Sequence, residues 1–304
     1  MAQATGSKRP QKSTNNNRKR KSWWKTASAV ERTRVLLITV LSAILAVVLV
    51  VSCAQFVHYR IEVQHAQTVQ HELEETYDFD PGNIISDEAF FDGDSMSATE
   101  IQTFLNDKGA ACSGDQCLKS KWFDTEPRPA NEYCKKIDLR GQQTAATIIA
   151  AASEACSVSP KVLLTMLQKE QHLVSATDIS DFQYKSAMGL SCPDDADCDP
   201  AYAGFYKQVA GSAERYQYYV QNEQKYGYHA DSLNYIQYNP NAACGGSQVW
   251  IENKATALLY IYTPYQPNRA ALQAGTGEGD QCSTYGNRNF SIIYSSWFGD
   301  PRKK

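Results

Sequence analysis

No cysteine in this 304-residue chain is followed by another at the spacing C-x2-C, and its five histidines stand apart from its nine cysteines. The ligand spacing of a structural zinc site is therefore missing, and no metal or other cofactor is called for. There is no G-x4-G-K-[ST] run and no G-x-S-x-G turn, which removes the usual phosphate cradle and the serine elbow. Gly275-Thr276-Gly277-Glu278-Gly279 is glycine-rich, but no strand leads into it and no helix pattern leaves it, so it reads as a loop. Basic charge is also lacking where a nucleic acid would need it. The first 34 residues hold ten Lys or Arg against the single acid Glu31, so of the chain's 30 basic and 33 acidic residues, 20 and 32 remain beyond them. An acidic body excludes a phosphate-backbone partner.

Charge is absent altogether from Val35 to Val57, 23 residues bounded by Arg34 and Arg60. That length spans a bilayer as a helix, and the basic flank puts the N-terminus in the cytoplasm and the rest outside. The expected organisation is a disordered basic tail (1–34), a transmembrane helix (35–57), a solvated stalk (58–82) carrying His58, His65 and His71, and a folded extracytoplasmic domain (83–300) of a single-pass cell-membrane protein. The tail, with Trp23 and Trp24, either docks on anionic lipid or only sets topology. Val50-Val51-Ser52-Cys53 also resembles a loose lipobox, which leaves a lipid-anchored start at Cys53 as the alternative. Beyond Cys53 the cysteines are even in number: Cys112, Cys117, Cys134, Cys156, Cys192, Cys198, Cys244 and Cys282. Four disulfides in an oxidising compartment is the natural reading. The favoured pairs are Cys112 with Cys117, Cys134 with Cys156, Cys192 with Cys198 and Cys244 with Cys282.

The body reads as mainly α. Ser97-Ala98-Thr99-Glu100 is a capping box ahead of Ile101, Phe104 and Leu105 at helical spacing. Gln142 to Ala155 is rich in good helix formers. Ser159-Pro160 opens the next helix, with Ser as cap and Pro in the first turn. Further helices are expected over Tyr202 to Lys225 and Glu252 to Tyr262, with short strands at Asn234 to Tyr238 and Phe290 to Tyr294.

One carboxylate breaks the pattern. In the helix that follows Ser159-Pro160, Glu170 lies within about 60° of Leu163, Met166, Leu167, Leu173 and Val174, whereas Gln168, Lys169 and Gln171 lie outside that arc. An inward acid against apolar walls has the property a general acid needs near neutral pH. The competing reading is a buried Glu paired with a distant Arg or Lys, or held structurally by another acid such as Glu252. The loop acids Asp178 and Asp181 are the available second carboxylates, and solvated loop acids are usually only that.

The order of parts, Leu163-Leu164-Thr165-Met166-Leu167-Gln168-Lys169-Glu170 followed by Ser186-Ala187-Met188-Gly189-Leu190, resembles the lysozyme-like superfamily, especially lytic transglycosylases and muramidases, over residues 142–265. It departs from that family at Gln171, where Ser usually follows the Glu, and at Ser191-Cys192, where Met-Gln is common. A longer resemblance, over residues 83–299, is to membrane-anchored or secreted wall proteins of Gram-positive bacteria. It rests on Ile84-Ile85-Ser86-Asp87, Tyr262-Thr263-Pro264-Tyr265-Gln266-Pro267-Asn268 and Tyr285-Gly286-Asn287-Arg288-Asn289-Phe290. The resemblance implies a lysozyme-like helical domain that cleaves the glycan strands of peptidoglycan. Glu170 would serve as the single acid and base, with Ser186, Met188, Gly189, Tyr262 and Tyr265 at the substrate. The alternative is a non-catalytic wall-binding or adhesion module that keeps the groove. Tyr262 and Tyr265 serve either as sugar platforms or as packing.

Overall fold

The computed structural model describes Trp24, residues 27–192 and residues 198–303, so the expectations for the basic tail, Trp23 included, lie mostly outside the described residues. The chain divides into two compact units, residues 1–59 and 60–304.

In the first unit, helix α1 (Ala29–Tyr77) starts at a reciprocal cap: the Ser28 amide donates to Glu31 Oε2 at 2.8 Å and the Glu31 amide to Ser28 Oγ at 3.3 Å. Its uncharged stretch is long and apolar enough to cross a membrane. The one threonine there, Thr39, returns its hydroxyl to the Val35 carbonyl at 2.8 Å, so this donor is satisfied within the helix.

The second unit begins with the distal part of α1, and here the expectation of a solvated stalk is corrected. Val63, Ala66, Gln70 and Leu73 are buried, and their 3-4-3 spacing is one face of the helix. Gln70 grips the backbone of Trp250, donating to its carbonyl at 3.2 Å and accepting from its amide at 2.7 Å. It also donates to Asp80 Oδ1 at 3.1 Å. The Asp80-Pro81-Gly82-Asn83 turn is thus held from both sides, because Tyr260 donates its hydroxyl to the Pro81 carbonyl at 2.8 Å. His65 and His71 do lie on the exposed side.

The body then runs through the short helices α2 (Asp87–Phe90) and α3 (Ala98–Lys108), the strands β1 (Trp122–Thr125) and β2 (Gly141–Thr144), and the helices α4 (Ala145–Cys156), α5 (Pro160–Gln171), α6 (Asp181–Lys185) and α7 (Phe205–Gln221). The strands β3 (Ser232–Gln237) and β4 (Gly246–Ile251) follow, then α8 (Lys254–Tyr262), α9 (Arg269–Gln273) and α10 (Gly286–Phe298). It is mainly helical, as expected. The two sheets are antiparallel pairs, β1 with β2 and β3 with β4. Two expectations are corrected. Phe290 to Tyr294 lies inside α10; its apolar residues Phe290, Ile293 and Tyr294 repeat at helical spacing. Gln142 to Thr144 is strand, and Thr144 caps α4 by accepting from the Thr147 amide at 3.2 Å.

Helix α5 is the axis of the core. Val162, Leu163, Leu164, Thr165, Met166 and Leu167 all have no exposed surface, so the helix is enclosed all round rather than on one face. Thr165 satisfies itself on the Lys161 carbonyl at 2.8 Å. Pro160 takes the first helical position as expected, but Ser159 makes no cap bond to the helix. Its amide donates to the Phe90 carbonyl at 2.8 Å, and its hydroxyl lies 2.9 Å from that of Ser95.

Four disulfides join Cys112–Cys117, Cys134–Cys156, Cys192–Cys198 and Cys244–Cys282, the pairs the spacing favours, and Cys53 is free. Since the last fourteen residues of α1 carry Gln70 and the buried Leu73, a soluble fragment should begin at Arg60 and not at Asp78. The Asp78 version is expected to lose about 2–4 kcal/mol through the missing Leu73 contacts and the orphaned Trp250 groups. Urea unfolding of the two fragments checks this; coincident midpoints would show that the stalk contributes nothing.

Candidate active site

Glu170 stands in the last turn of α5, where the enclosed helix reaches the surface. The walls predicted for it are present: Leu163, Met166, Leu167, Leu173 and Val174 are all buried. The helix stops immediately beyond, with His172 in the left-handed region at φ 56°, and Gln183 of α6 caps the exposed end by donating to the Gln171 carbonyl at 2.9 Å. The carboxylate is therefore half-enclosed, its side chain 23% exposed.

Its partner is a correction to the pattern. Lys169, placed outside the apolar arc, has a side chain only 8% exposed and its Nζ lies 2.5 Å from Glu170 Oε1. A lysine stem can lie along apolar surface and carry its ammonium around the helix. The same ammonium sits 5.3 Å from the centre of the Tyr262 ring. The ion pair is thus local and does not involve a distant cation. Glu252 is bound elsewhere: Asn83 Nδ2 donates to it at 3.1 Å. Its carboxyl is raised from the ordinary value by burial and then by the charge of Asp80. Asp178 and Asp181 are exposed, and Asp181 lines a separate cavity with Lys121, Tyr184 and Lys185.

The other carboxylate oxygen faces the turn from Ser186 to Gly189. Gly189 is exposed and has φ 69°, and a Cβ built on it would lie 3.6 Å from Glu170 Oε2 and 3.5 Å from the Tyr262 hydroxyl. Glycine is needed here for its positive φ. With no side chain there, the backbone of the turn faces Oε2 directly. Tyr262 donates its hydroxyl to the Met188 carbonyl. Burial, and next the negative charge of Glu170, hold this phenol well above its ordinary value. Tyr216 packs edge-on against Tyr262 at 5.8 Å. It is fully buried with its hydroxyl unpartnered, and burial and then Glu170 likewise raise it.

Glu170, Gly189, Tyr262 and the backbone of Met188 therefore come together. Ser186 does not: it is buried and its hydroxyl donates to the Phe182 carbonyl at 2.9 Å, a bond within the turn of α6, so the expected substrate contact is corrected to local turn chemistry. The Met188 side chain is fully buried and belongs to the core. Tyr265 lies in the strap after α8, which joins the edge of β3 through a bridge to Gln237, and its backbone carbonyl accepts from Asn287 Nδ2 at 2.9 Å.

A residue that sequence reasoning missed holds the turn in place. Gln208 of α7 is fully buried. Its Oε1 accepts from the amides of Met188 and Leu190, each at 3.0 Å, and its Nε2 donates to the carbonyls of Leu190 at 2.8 Å and Tyr202 at 2.9 Å. A glutamine within the stripe Phe205, Val209, Ser212, Tyr216 is the same kind of anomaly as Glu170, and that was the available signal.

These features define a mainly helical, four-disulfide domain with one solvent-reachable carboxylate at the end of its central helix, carried behind a single long apolar helix. A family profile described as LasA, N-terminal domain, matches residues 83–304, and the chain belongs to that family. LasA itself is a staphylolytic peptidase. No curated protein matches the chain, and no solved structure does.

Two outcomes follow from this geometry. Replacing Gln208 with Leu leaves the amides of Met188 and Leu190 and the carbonyls of Leu190 and Tyr202 without these partners, and is expected to cost about 3–5 kcal/mol in denaturant unfolding; a loss under about 1 kcal/mol would mean the turn holds itself. The phenols of Tyr216, Tyr260 and Tyr262 are raised in the folded state. Their contribution to stability is therefore fully present below the unfolded value of about 10 and is lost as pH rises above it, because the unfolded chain ionises first. The urea midpoint should fall steadily from pH 9.5 to pH 11. Phenolate absorbance from these rings should appear only with unfolding, and ionisation near pH 10 in the folded protein would contradict their burial.

Proposed function

We propose that this chain is a membrane-anchored, outward-facing protein that cleaves the glycan strands of peptidoglycan with Glu170 as its one acid and base. The observation that carries the reading is the arrangement around Glu170: a partly exposed carboxylate whose Oε2 lies against the backbone of an exposed glycine, at the end of an otherwise enclosed helix, in the lysozyme-like order of parts that the sequence resembles. The family tie to a staphylolytic peptidase supports a cell-wall setting, and four disulfides support a domain outside the cytoplasm. The long apolar helix with its basic leader supports a single pass with the N-terminus inside.

The chemistry suited to one carboxylate is intramolecular. Glu170, protonated on Oε2, gives that proton to the glycosidic oxygen as the bond from the sugar C1 to that oxygen breaks. The carboxylate then takes the proton of the muramyl 6-hydroxyl as its oxygen bonds to C1. The products are a strand end with a free hydroxyl and a 1,6-anhydro end, and Glu170 regains its proton. With Oε1 held by Lys169, the group is fixed in orientation for both transfers. Hydrolysis by an activated water uses the same acid and yields a reducing end.

The second reading, a non-catalytic wall-binding module, is favoured by the Lys169–Glu170 pair, which makes the carboxylate a structural ion. Glu170→Gln separates the two. The expected result is a fall of about 10²–10⁴-fold in release of soluble glycan from purified peptidoglycan, with fragment masses showing anhydro or reducing ends. Lys169→Met controls for loss of the ion pair, and thermal melting for folding. If wild type and Glu170→Gln release the same products, or neither releases any, catalysis by Glu170 is refuted.

A further inference from the structure

A second cavity, of about 320 Å³, opens between Arg128, Tyr133, Tyr202, Glu214, Arg215 and Tyr218. Its size matches the lower range of small-ligand sites. Its two arginines are not equivalent. Arg128 is neutralised, with Nη2 2.6 Å from Glu214 Oε2. Arg215 has no carboxylate within ion-pair distance among the described residues. Instead its guanidinium lies 5.7 Å from the centre of the Tyr218 ring. Burial opposes its charge, and the phenols of Tyr219 and Tyr202 more than offset that, leaving its pKa above the ordinary arginine value. A permanently charged fork of donors, walled by aromatic rings and lacking an anion, is the side-chain chemistry that takes a carboxylate attached to a sugar or peptide.

Gly211 forms part of the cavity wall, and a Cβ placed there would come within 2.8 Å of Leu190 Cδ2. Gly211 is thus where α7 packs closely on Leu190. Arg215 also directly precedes Tyr216, whose ring packs against Tyr262.

We infer that this cavity is a carboxylate-binding subsite, with Arg215 as the residue that recognises an acidic substituent of a peptidoglycan strand. The inference rests on the peptidoglycan reading for the identity of its ligand. Two sources offer the carboxylate: the lactyl group of muramic acid when no peptide is attached, and the peptide itself when one is. Neutral N-acetylglucosamine offers none.

The test uses the full chain in detergent with single-sugar probes, which contain no glycosidic bond to cut. Binding of N-acetylmuramic acid, an N-acetylmuramoyl peptide and N-acetylglucosamine is measured by calorimetry for wild type, Arg215→Gln and Arg215→Lys. Wild type is expected to bind at least one acidic probe more tightly than the neutral one, and which one identifies the source. Arg215→Gln should weaken that probe by about 10–100-fold, the worth of one charged hydrogen-bonded pair, and leave N-acetylglucosamine unchanged. Arg215→Lys, which keeps the charge but not the fork, should fall between. Wild type binding all three probes equally or none, or both variants matching wild type on the acidic probe, overturns the subsite. These outcomes are separate from glycan release by Glu170→Gln: the subsite can stand with no cleavage, as a binding module requires, and cleavage can stand without it.

Discussion

The second unit is organised by the complete enclosure of one helix. Six consecutive residues of α5, from Val162 to Leu167, have no contact with water, so every neighbouring element must supply an apolar face to it. Burial of such side chains is worth about 1.5–3 kcal/mol each, and no polar group can be tolerated there unless it satisfies itself, as Thr165 does on its own helix. The first place where charge can reappear is the helix end. Lys169 and Glu170 occupy that position, and the ion pair between them is a consequence of where the enclosure stops.

That boundary explains why a glycine and a glutamine matter as much as the carboxylate. The acid at the end of the buried helix faces the turn from Ser186 to Gly189. The turn is closed by one backbone bond of its own, from the Gly189 amide to the Ser186 carbonyl at 2.8 Å. Further amides and carbonyls are collected by Gln208, which is rooted in α7, and by the hydroxyl of Tyr262, rooted in α8. Three helices thus fix the distance between Glu170 Oε2 and the backbone of Gly189. A site supported in this way is held by packed elements and not by loop conformation.

Much of the fold was legible because its signals are local. The capping box at Ser97 and Glu100, the Pro160 start and the short cysteine loops each depend on residues within a few positions of one another. Glu170 was legible for the same reason, since a helical stripe is a local pattern. What was not legible depends on long-range partners. The strand Gly246–Ile251 reveals itself only against Ser232–Gln237. The burial of Gln70 needs Trp250, 180 residues away, so a Gln-rich, charged segment reads as solvated. Lys169 was misplaced for a different reason: a pattern on a helical wheel locates Cβ atoms, while the ammonium sits at the end of a flexible stem that ends over Tyr262.

The buried polar groups of α7 bring these points together. Its inner stripe carries Gln208, Ser212 and Tyr216, none of them exposed by more than 1%, where apolar residues would pack with less penalty. Gln208 is fully satisfied, while the hydroxyls of Ser212 and Tyr216 have no partner. An orphaned phenol packed on Tyr262 is a cost to the core, and removing the Tyr216 hydroxyl would relieve that penalty. The same helix turns its outer face, through Arg215 and Tyr218, to the neighbouring cavity. One element thus carries the inner wall of the carboxylate site and the outer wall of the adjacent one, and it sets the two in a fixed register.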